Sequence, residues 1–258
     1  MTRRHLSFVC AGSTLAATLD DASGTSGLLL VSGGNELRSG AFSGQARLAA
    51  RVAEAGFPVM RFDRRGIGDS EGENAGFLGN GEDIAAALEA FRAECPDLTR
   101  VVGLGNCDAA SALMLNGGGG CDALVLTNPW TFEEDAPADA MPPAAIRARY
   151  AEKLANPREL LRLVSGGVSV RKLASGVVRA LRPPPPPTTL LQDMRNGIAA
   201  YPGAIRFLLA GRDRTAQAFR DGWGGADDRV TTRPDADHAF SDPADNDWLF
   251  RQIIAALA

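Results

Sequence analysis

Three side chains in this sequence could together attack a carbonyl group: Cys107, Asp213 and His238. Cys107 sits in Gly105-Asn106-Cys107-Asp108-Ala109, after the apolar run Val101-Val102-Gly103-Leu104 and before a helix-forming run over 109–115. A strand that turns sharply into a helix strains the backbone of the residue at the turn and exposes its side chain, and it needs small residues two positions before and after. Gly105 and Ala109 meet that demand. A thiol in this seat is a few per cent ionised near neutrality and intrinsically very nucleophilic, which suits acyl transfer from activated esters and thioesters. The alternative is a buried structural cysteine, and the rest of the chain must decide between them.

A thiol nucleophile needs a base within reach and a third group to orient that base. Of the two histidines, His5 lies in the first edge strand, whereas His238 falls in Asp235-Ala236-Asp237-His238-Ala239-Phe240, after the last predicted strand and before the closing helix. The acid is expected between nucleophile and histidine in chain order, at the end of a strand. Asp213 closes the apolar run 205–210 after a glycine turn; its alternative role is to cap a helix beginning at Arg214 or Thr215. Asp235 and Asp237 are weaker rivals, too close to the histidine in sequence to reach its far ring nitrogen. An oxyanion hole needs two backbone N–H donors. One is expected from Asp108, the other from Ser32-Gly33-Gly34-Asn35-Glu36, where Gly34 and Asn35 are both candidates. Glu36 could polarise the thiol or contact Arg38. Asp63-Arg64-Arg65-Gly66-Ile67-Gly68-Asp69-Ser70 lacks a dinucleotide fingerprint and a Walker lysine, and reads as a tight turn at the site's rim. Ser70 is a rival nucleophile without an elbow around it.

These residues need a scaffold of alternating strands and helices. Short apolar runs at 28–31, 59–62, 101–104 and 123–127 read as central parallel strands, with amphipathic helices over 43–55 and 81–94 between them. Segments 6–10 and 15–19 suggest an antiparallel hairpin at one edge. Strands at 205–210 and 229–233 and a helix at about 243–257 complete an α/β pattern. The strand rhythm stops from 132 to about 201, where helical fragments at 143–155, 157–163 and 170–181 precede five prolines at 183–187, a stiff polyproline spacer. The domain reading is therefore a core of 1–130 and 202–258 with a helical cap insertion at 131–201.

At 258 residues and 45% hydrophobic, the chain suits one large soluble α/β domain. A net charge of -4 gives no reason to expect nucleic acid. Within 141–182 of the insertion, Arg147, Arg149, Lys153, Arg158, Arg162, Arg171, Lys172, Arg179 and Arg182 stand against only Glu152 and Glu159. A solvated helix surface is the usual reason for such a run; attraction of an anionic substrate, a carrier phosphate or an anionic membrane face is the alternative. Cys10, Cys95, Cys107 and Cys121 form no CxxC pair and no metal-ligand spacing with the histidines. No metal and no cofactor are expected. The twin arginine Arg3-Arg4 is followed by Ser7, Cys10 and Gly12 and reads as a first strand, not a leader, so reduced thiols in the cytoplasm are expected. No apolar run is long enough to span a membrane.

In their order along the chain, the Gly33-Gly34 loop, Asp63 to Ser70, the cysteine elbow, Asp213 and His238 resemble an α/β-hydrolase over nearly the whole length. That likeness implies a mostly parallel eight-stranded sheet flanked by helices, with a helical cap. More narrowly, the chain resembles the hydrolase 1 group associated with exosortase A systems of Gram-negative bacteria. The residues behind this are Arg61-Phe62-Asp63 with Gly66-Ile67-Gly68-Asp69-Ser70-Glu71-Gly72, Cys107 to Ala112, Asn128-Pro129-Trp130 and the stretch 147–154. The resemblance implies a cytoplasmic enzyme linked to exopolysaccharide production; the proline run departs from the usual cap. Dienelactone hydrolases share the Cys, Asp, His logic, but the large insertion fits them poorly. The expectation is a cysteine-dependent carboxylesterase or thioesterase acting on a small-molecule or carrier-linked acyl group. An acyltransferase on the same triad and a non-catalytic binding protein of the same fold are the alternatives.

Overall fold

The computed structural model describes residues 2–132 and 189–258. Eight strands form one sheet: β1 (Arg3–Cys10), β2 (Ser13–Asp20), β3 (Ser26–Val31), β4 (Val59–Phe62), β5 (Arg100–Asn106), β6 (Ala123–Thr127), β7 (Ala204–Ala210) and β8 (Val230–Arg233). Their order is β1-β2-β4-β3-β5-β6-β7-β8. β2 runs antiparallel to both its neighbours and every other pairing is parallel, which is the mostly parallel eight-stranded sheet expected. From β3 the chain goes to one side for β4 and to the other for β5. The crevice at the carboxyl ends of β3 and β5 is thus the topological switch point, where such sheets place their ligands.

Helices cover both faces, so the central strands are apolar at successive positions and their side chains alternate between two cores. Leu29, Val31, Leu124, Leu126, Phe207 and Leu209 point to α2 (Gly81–Glu94), α3 (Asp108–Leu115), α4 (Thr189–Ile198) and α5 (Arg214–Trp223). Leu28, Leu30, Val102, Val125 and Leu208 point to α1 (Gly44–Glu54) and α6 (Pro243–Leu257). Burying one such side chain contributes about 1.5–3 kcal/mol. On the α3 face, β5 carries Val101 and then only Gly103 and Gly105. A Cβ on Gly105 would stand 2.7 Å from the backbone of Ala109 and Ala110. The glycine lets α3 start against the strand, and that contact fixes the turn between them.

The helix α4 falls inside the stretch 131–201 assigned to the insertion. Its Leu190, Leu191, Met194 and Ile198 are buried in the same cluster as Leu113 and Met114 of α3, so by packing it belongs to the core. The expected cap helices, the basic stretch and the proline run fall in 133–188, outside the described residues. Among the described residues no helix is long and apolar enough to cross a membrane.

Asn128 joins the carboxyl ends of three strands to the histidine loop. It is fully buried, with a left-handed φ of 46°. Its Nδ2 donates to Asn106 Oδ1 at 3.1 Å and to the carbonyl of His238 at 3.0 Å, and its Oδ1 accepts from the N–H of Ala210 at 2.8 Å. Asparagine tolerates this φ better than most residues. Asn128→Ala should therefore leave buried polar groups unpaired and add backbone strain, lowering stability by about 2–4 kcal/mol in urea denaturation; a loss under 1 kcal/mol would contradict the role of this side chain as the tie.

Candidate active site

Cys107 follows β5 and precedes α3, with φ 61° and ψ -127°. A non-glycine residue in that region persists only when its surroundings over-determine it. Here the N–H of Cys107 donates to Thr127 at 3.0 Å, and its carbonyl accepts from the N–H of Trp130 at 3.2 Å and of Ser111 at 3.3 Å. The Ser111 hydroxyl donates to the carbonyl of Trp130 at 2.7 Å. The Asn128-Pro129-Trp130 segment after β6 is thus tied directly to the elbow.

The structure brings His238 and Asp213 together at this turn. Asp213 Oδ1 lies 3.1 Å from His238 Nδ1, while its Oδ2 accepts from the N–H of Ala216 at 2.9 Å. The two roles weighed for Asp213, helix cap and partner of the histidine, are filled at once by its two oxygens. Capping holds the carboxylate in one rotamer, which aims its other oxygen. The His238 side chain is 42% exposed and Asp213 10%, so solvent or a substrate reaches the ring but hardly the acid. Hydrogen bonding to Asp213, and then to Cys107, raises the pKa of His238 to about 10.

Asn106 is a residue that sequence reasoning missed. Its Oδ1 accepts from the Thr127 hydroxyl at 2.7 Å and from Asn128, which turns Nδ2 toward His238 Nε2 at 3.3 Å. With Nδ1 facing a carboxylate, the neutral ring carries its proton on Nδ1 and offers Nε2 as acceptor. The only sequence cue was a polar residue beside the candidate nucleophile at the end of a buried strand.

The loop after β3 places its candidates differently from one another. Gly34, at φ 54°, directs its N–H to the elbow, where it donates to Asp108 Oδ1 at 2.7 Å. Asn35 turns its side chain to Asn74 at 3.0 Å. Glu36 corrects an expectation. Its carboxylate accepts from Gln45 at 3.2 Å, so it has neither of the contacts considered for it. Arg38 instead pairs with Asp63 and Asp69, because the fully buried Asp63 needs a cation and the N–H groups of Arg38 and Asp69 around it. Asp63 thereby closes the turn at the rim. Ser70 is structural, donating to the carbonyl of Asp63 at 2.7 Å and accepting from the N–H of Ala16 at 2.9 Å.

Of the remaining candidates, His5 faces Thr18 at 3.4 Å on the edge hairpin. Asp237 accepts from the N–H groups of Ser241 and Ala239 and from the Ser241 hydroxyl, which bends the histidine loop and lowers the carboxylate's pKa. All four cysteines are free. Burial raises the pKa of Cys10 and Cys95 and pushes that of Cys121 up to about 12, which keeps those three thiols protonated. Among the described residues no group of three His, Cys, Asp or Glu could hold a metal ion.

This geometry can be set beside known proteins. A comparison with curated proteins finds no match. Among solved structures, the chain is similar to an alpha-beta serine hydrolase homologue from Coxiella burnetii, 14% identical with a TM-score of 0.59 over 100% of this chain and 99% of that one. It is similar to the alpha/beta hydrolase GrgF from Penicillium sp. sh18, 16% identical with a TM-score of 0.61 over 100% and 99%. The esterase Pf2001 of Pyrococcus furiosus is 12% identical with a TM-score of 0.59 over 99% and 89%. At such identities the likeness is one of fold. The family model described as alpha/beta hydrolase family matches residues 28–251. Since that match runs from β3 into α6 and takes in the elbow, Asp213 and the histidine loop, the chain belongs to the alpha/beta hydrolase family.

Proposed function

We propose that the protein is a cysteine-dependent acyl hydrolase, a carboxylesterase or thioesterase, working through Cys107, His238 and Asp213. The observation that carries this reading is the paired histidine: an imidazole oriented by the little-exposed carboxylate of Asp213, with a thiol among the groups that raise its pKa, and that thiol sits on a strained strand-to-helix turn. Family membership supports hydrolysis as the reaction class. From the resemblance of the elbow and the Asn128-Pro129-Trp130 segment, we assign the enzyme to the cytoplasm and to exopolysaccharide production, with a small-molecule or carrier-linked acyl group as substrate. An anionic substrate suits the basic composition of 141–182.

In this mechanism the Cys107 thiolate attacks the carbonyl carbon, forming an S–C bond as the carbonyl π pair moves to oxygen. The N–H groups of Asp108 and Gly34 hold that oxygen. Collapse expels an alkoxide or thiolate, which takes the proton from His238 Nε2 and leaves a thioester on Cys107. Water then gives a proton to Nε2 as it attacks, and the acid leaves with regeneration of the thiol pair. Asp213 stabilises the imidazolium at each stage without accepting its proton.

Cys107→Ala and His238→Ala should each reduce hydrolysis of 4-nitrophenyl acetate and of an N-acetylcysteamine thioester by about 10⁴-fold. Activity surviving in both variants would sink the mechanism. Iodoacetamide separates it from a non-catalytic protein of the same fold: rapid labelling of Cys107 alone is expected of the enzyme, and an inert Cys107 of a binding protein.

His238 gives a pH prediction. Its folded-state pKa of about 10 lies above the value of 6.5 for a free histidine, so its stabilising contribution is complete below pH 6.5 and is lost as pH rises toward 10. The alkaline limb of kcat/KM should follow the same proton, which the leaving group needs. Asp213→Asn should move both the limb and the imidazole NMR titration down toward 6.5; an unmoved titration would show that Asp213 does not set it.

A further inference from the structure

The residue after the proposed nucleophile contributes its N–H to an oxyanion site, and here it also contributes a carboxylate. Asp108 Oδ1 accepts from the N–H of Gly34 at 2.7 Å. A Cβ on Gly33 would stand 2.5 Å from that oxygen and 2.8 Å from the carbonyl of Asn106. The side chain is thus packed between the β3 loop and the elbow, on the donor that a substrate oxygen must reach. A full negative charge there opposes the charge that develops on a carbonyl under attack.

Arg64, two residues past the carboxyl end of β4, the strand next to β3, has the opposite problem. It is 3% exposed, and its Nε and Nη1 are buried with no hydrogen-bond partner. The neighbouring acids are committed: Asp63 to Arg38 and the turn, Asp83 to the N–H and side chain of Arg65. Burial lowers the pKa of Arg64, against which Asp108 acts most strongly, followed by Asp83. Buried guanidinium nitrogens without an acceptor are costly, and pairing them with a carboxylate would gain charge-assisted hydrogen bonds.

We propose that Asp108 is a displaceable plug of the oxyanion site and Arg64 its receiver: an incoming carbonyl oxygen takes the Gly34 N–H, and the Asp108 carboxylate swings to the vacant nitrogens of Arg64. In the resting state Nε and Nη1 of Arg64 lack an acceptor and Gly34 is blocked; with an acyl group in place each of these groups gains a partner. Arg64 is then a positioning residue, acting on the acyl group only through Asp108. The proposal rests on the acyl hydrolase reading for its biological use, but the movement requires only a carbonyl at Cys107.

Butanal tests it without turnover. The aldehyde adds to Cys107, with an S–C bond forming and the thiol proton ending on the former carbonyl oxygen, which lies in the oxyanion site. Its dissociation constant is read from protection of Cys107 against iodoacetamide in the full-length protein, Asp108→Ala, Arg64→Met and the double variant. Asp108→Ala should bind about tenfold tighter. Arg64→Met should bind about tenfold weaker in the native background and within about twofold of its parent in the Asp108→Ala background. Arg64→Lys, which keeps the charge, should recover part of the loss; Asp108→Asn replaces Asp108→Ala if circular dichroism shows the latter unfolded. The plug is overturned if neither Asp108 variant tightens binding, or if Arg64→Met costs the same factor in both backgrounds. An intact cycle in a native protein that hydrolyses no ester or thioester would uphold the plug and overturn the hydrolase reading.

Discussion

The left-handed backbone at Cys107 is the constraint around which the rest of the molecule is arranged. A residue with a side chain held at φ 61°, ψ -127° costs on the order of 1–3 kcal/mol, and it is retained only because the chain on both sides has no alternative. The strand before it lacks side chains at Gly103 and Gly105 on one face, so α3 can begin in contact with it. The strand beside it ends in Thr127, Asn128 and Trp130, whose backbone groups and side chains bond to Cys107 and Asn106. Strain at one residue is thereby spread over β5, β6 and α3, and the same bonds that hold it determine where the thiol points.

The second arrangement is electrostatic. Around the carboxyl ends of the parallel strands, buried carboxylates and guanidinium groups are matched: Asp63 with Arg38, Asp83 with Arg65, Asp245 with Arg233. These pairs fix loops, since breaking one by removing a single partner leaves a buried charge uncompensated. Asp213 is exceptional among the acids at this end. It spends one oxygen on a helix N-terminus and the other on an imidazole, so a feature that stabilises α5 also orients the proposed base.

The chain order of elbow, acid and histidine, and every strand of the sheet, could be read from the sequence because each depends on local pattern: apolar runs, small residues at a turn, an acid at a strand end. Three things could not. The helix Thr189–Ile198 follows a basic, proline-rich stretch that hid its short apolar stripe, although Leu190, Leu191, Met194 and Ile198 have helical spacing and pack into the core. Asn106 and Asn128 act through partners up to 132 residues away, and no local pattern encodes such a bond. Glu36 was considered for the thiol or Arg38 by position alone, whereas its side chain turns to Gln45, and the direction of the Asp108 carboxylate, onto Gly34, had no cue in the sequence.

The proposed nucleophile and the environment of the proposed base agree with each other. An imidazole whose pKa is raised to about 10 by Asp213 and Cys107 is already protonated near neutrality. In the proposed mechanism this cation lies beside a thiolate nucleophile and takes no proton from it at the moment of attack. The imidazolium then serves as the acid for the leaving group, which is the half of the reaction that a thiolate nucleophile needs most. Asn106 works in the opposite direction: its amide donates to the same Nε2 only while that nitrogen is unprotonated. It therefore fits the stage after the leaving group has taken the proton, when a neutral ring must wait, acceptor outward, for water.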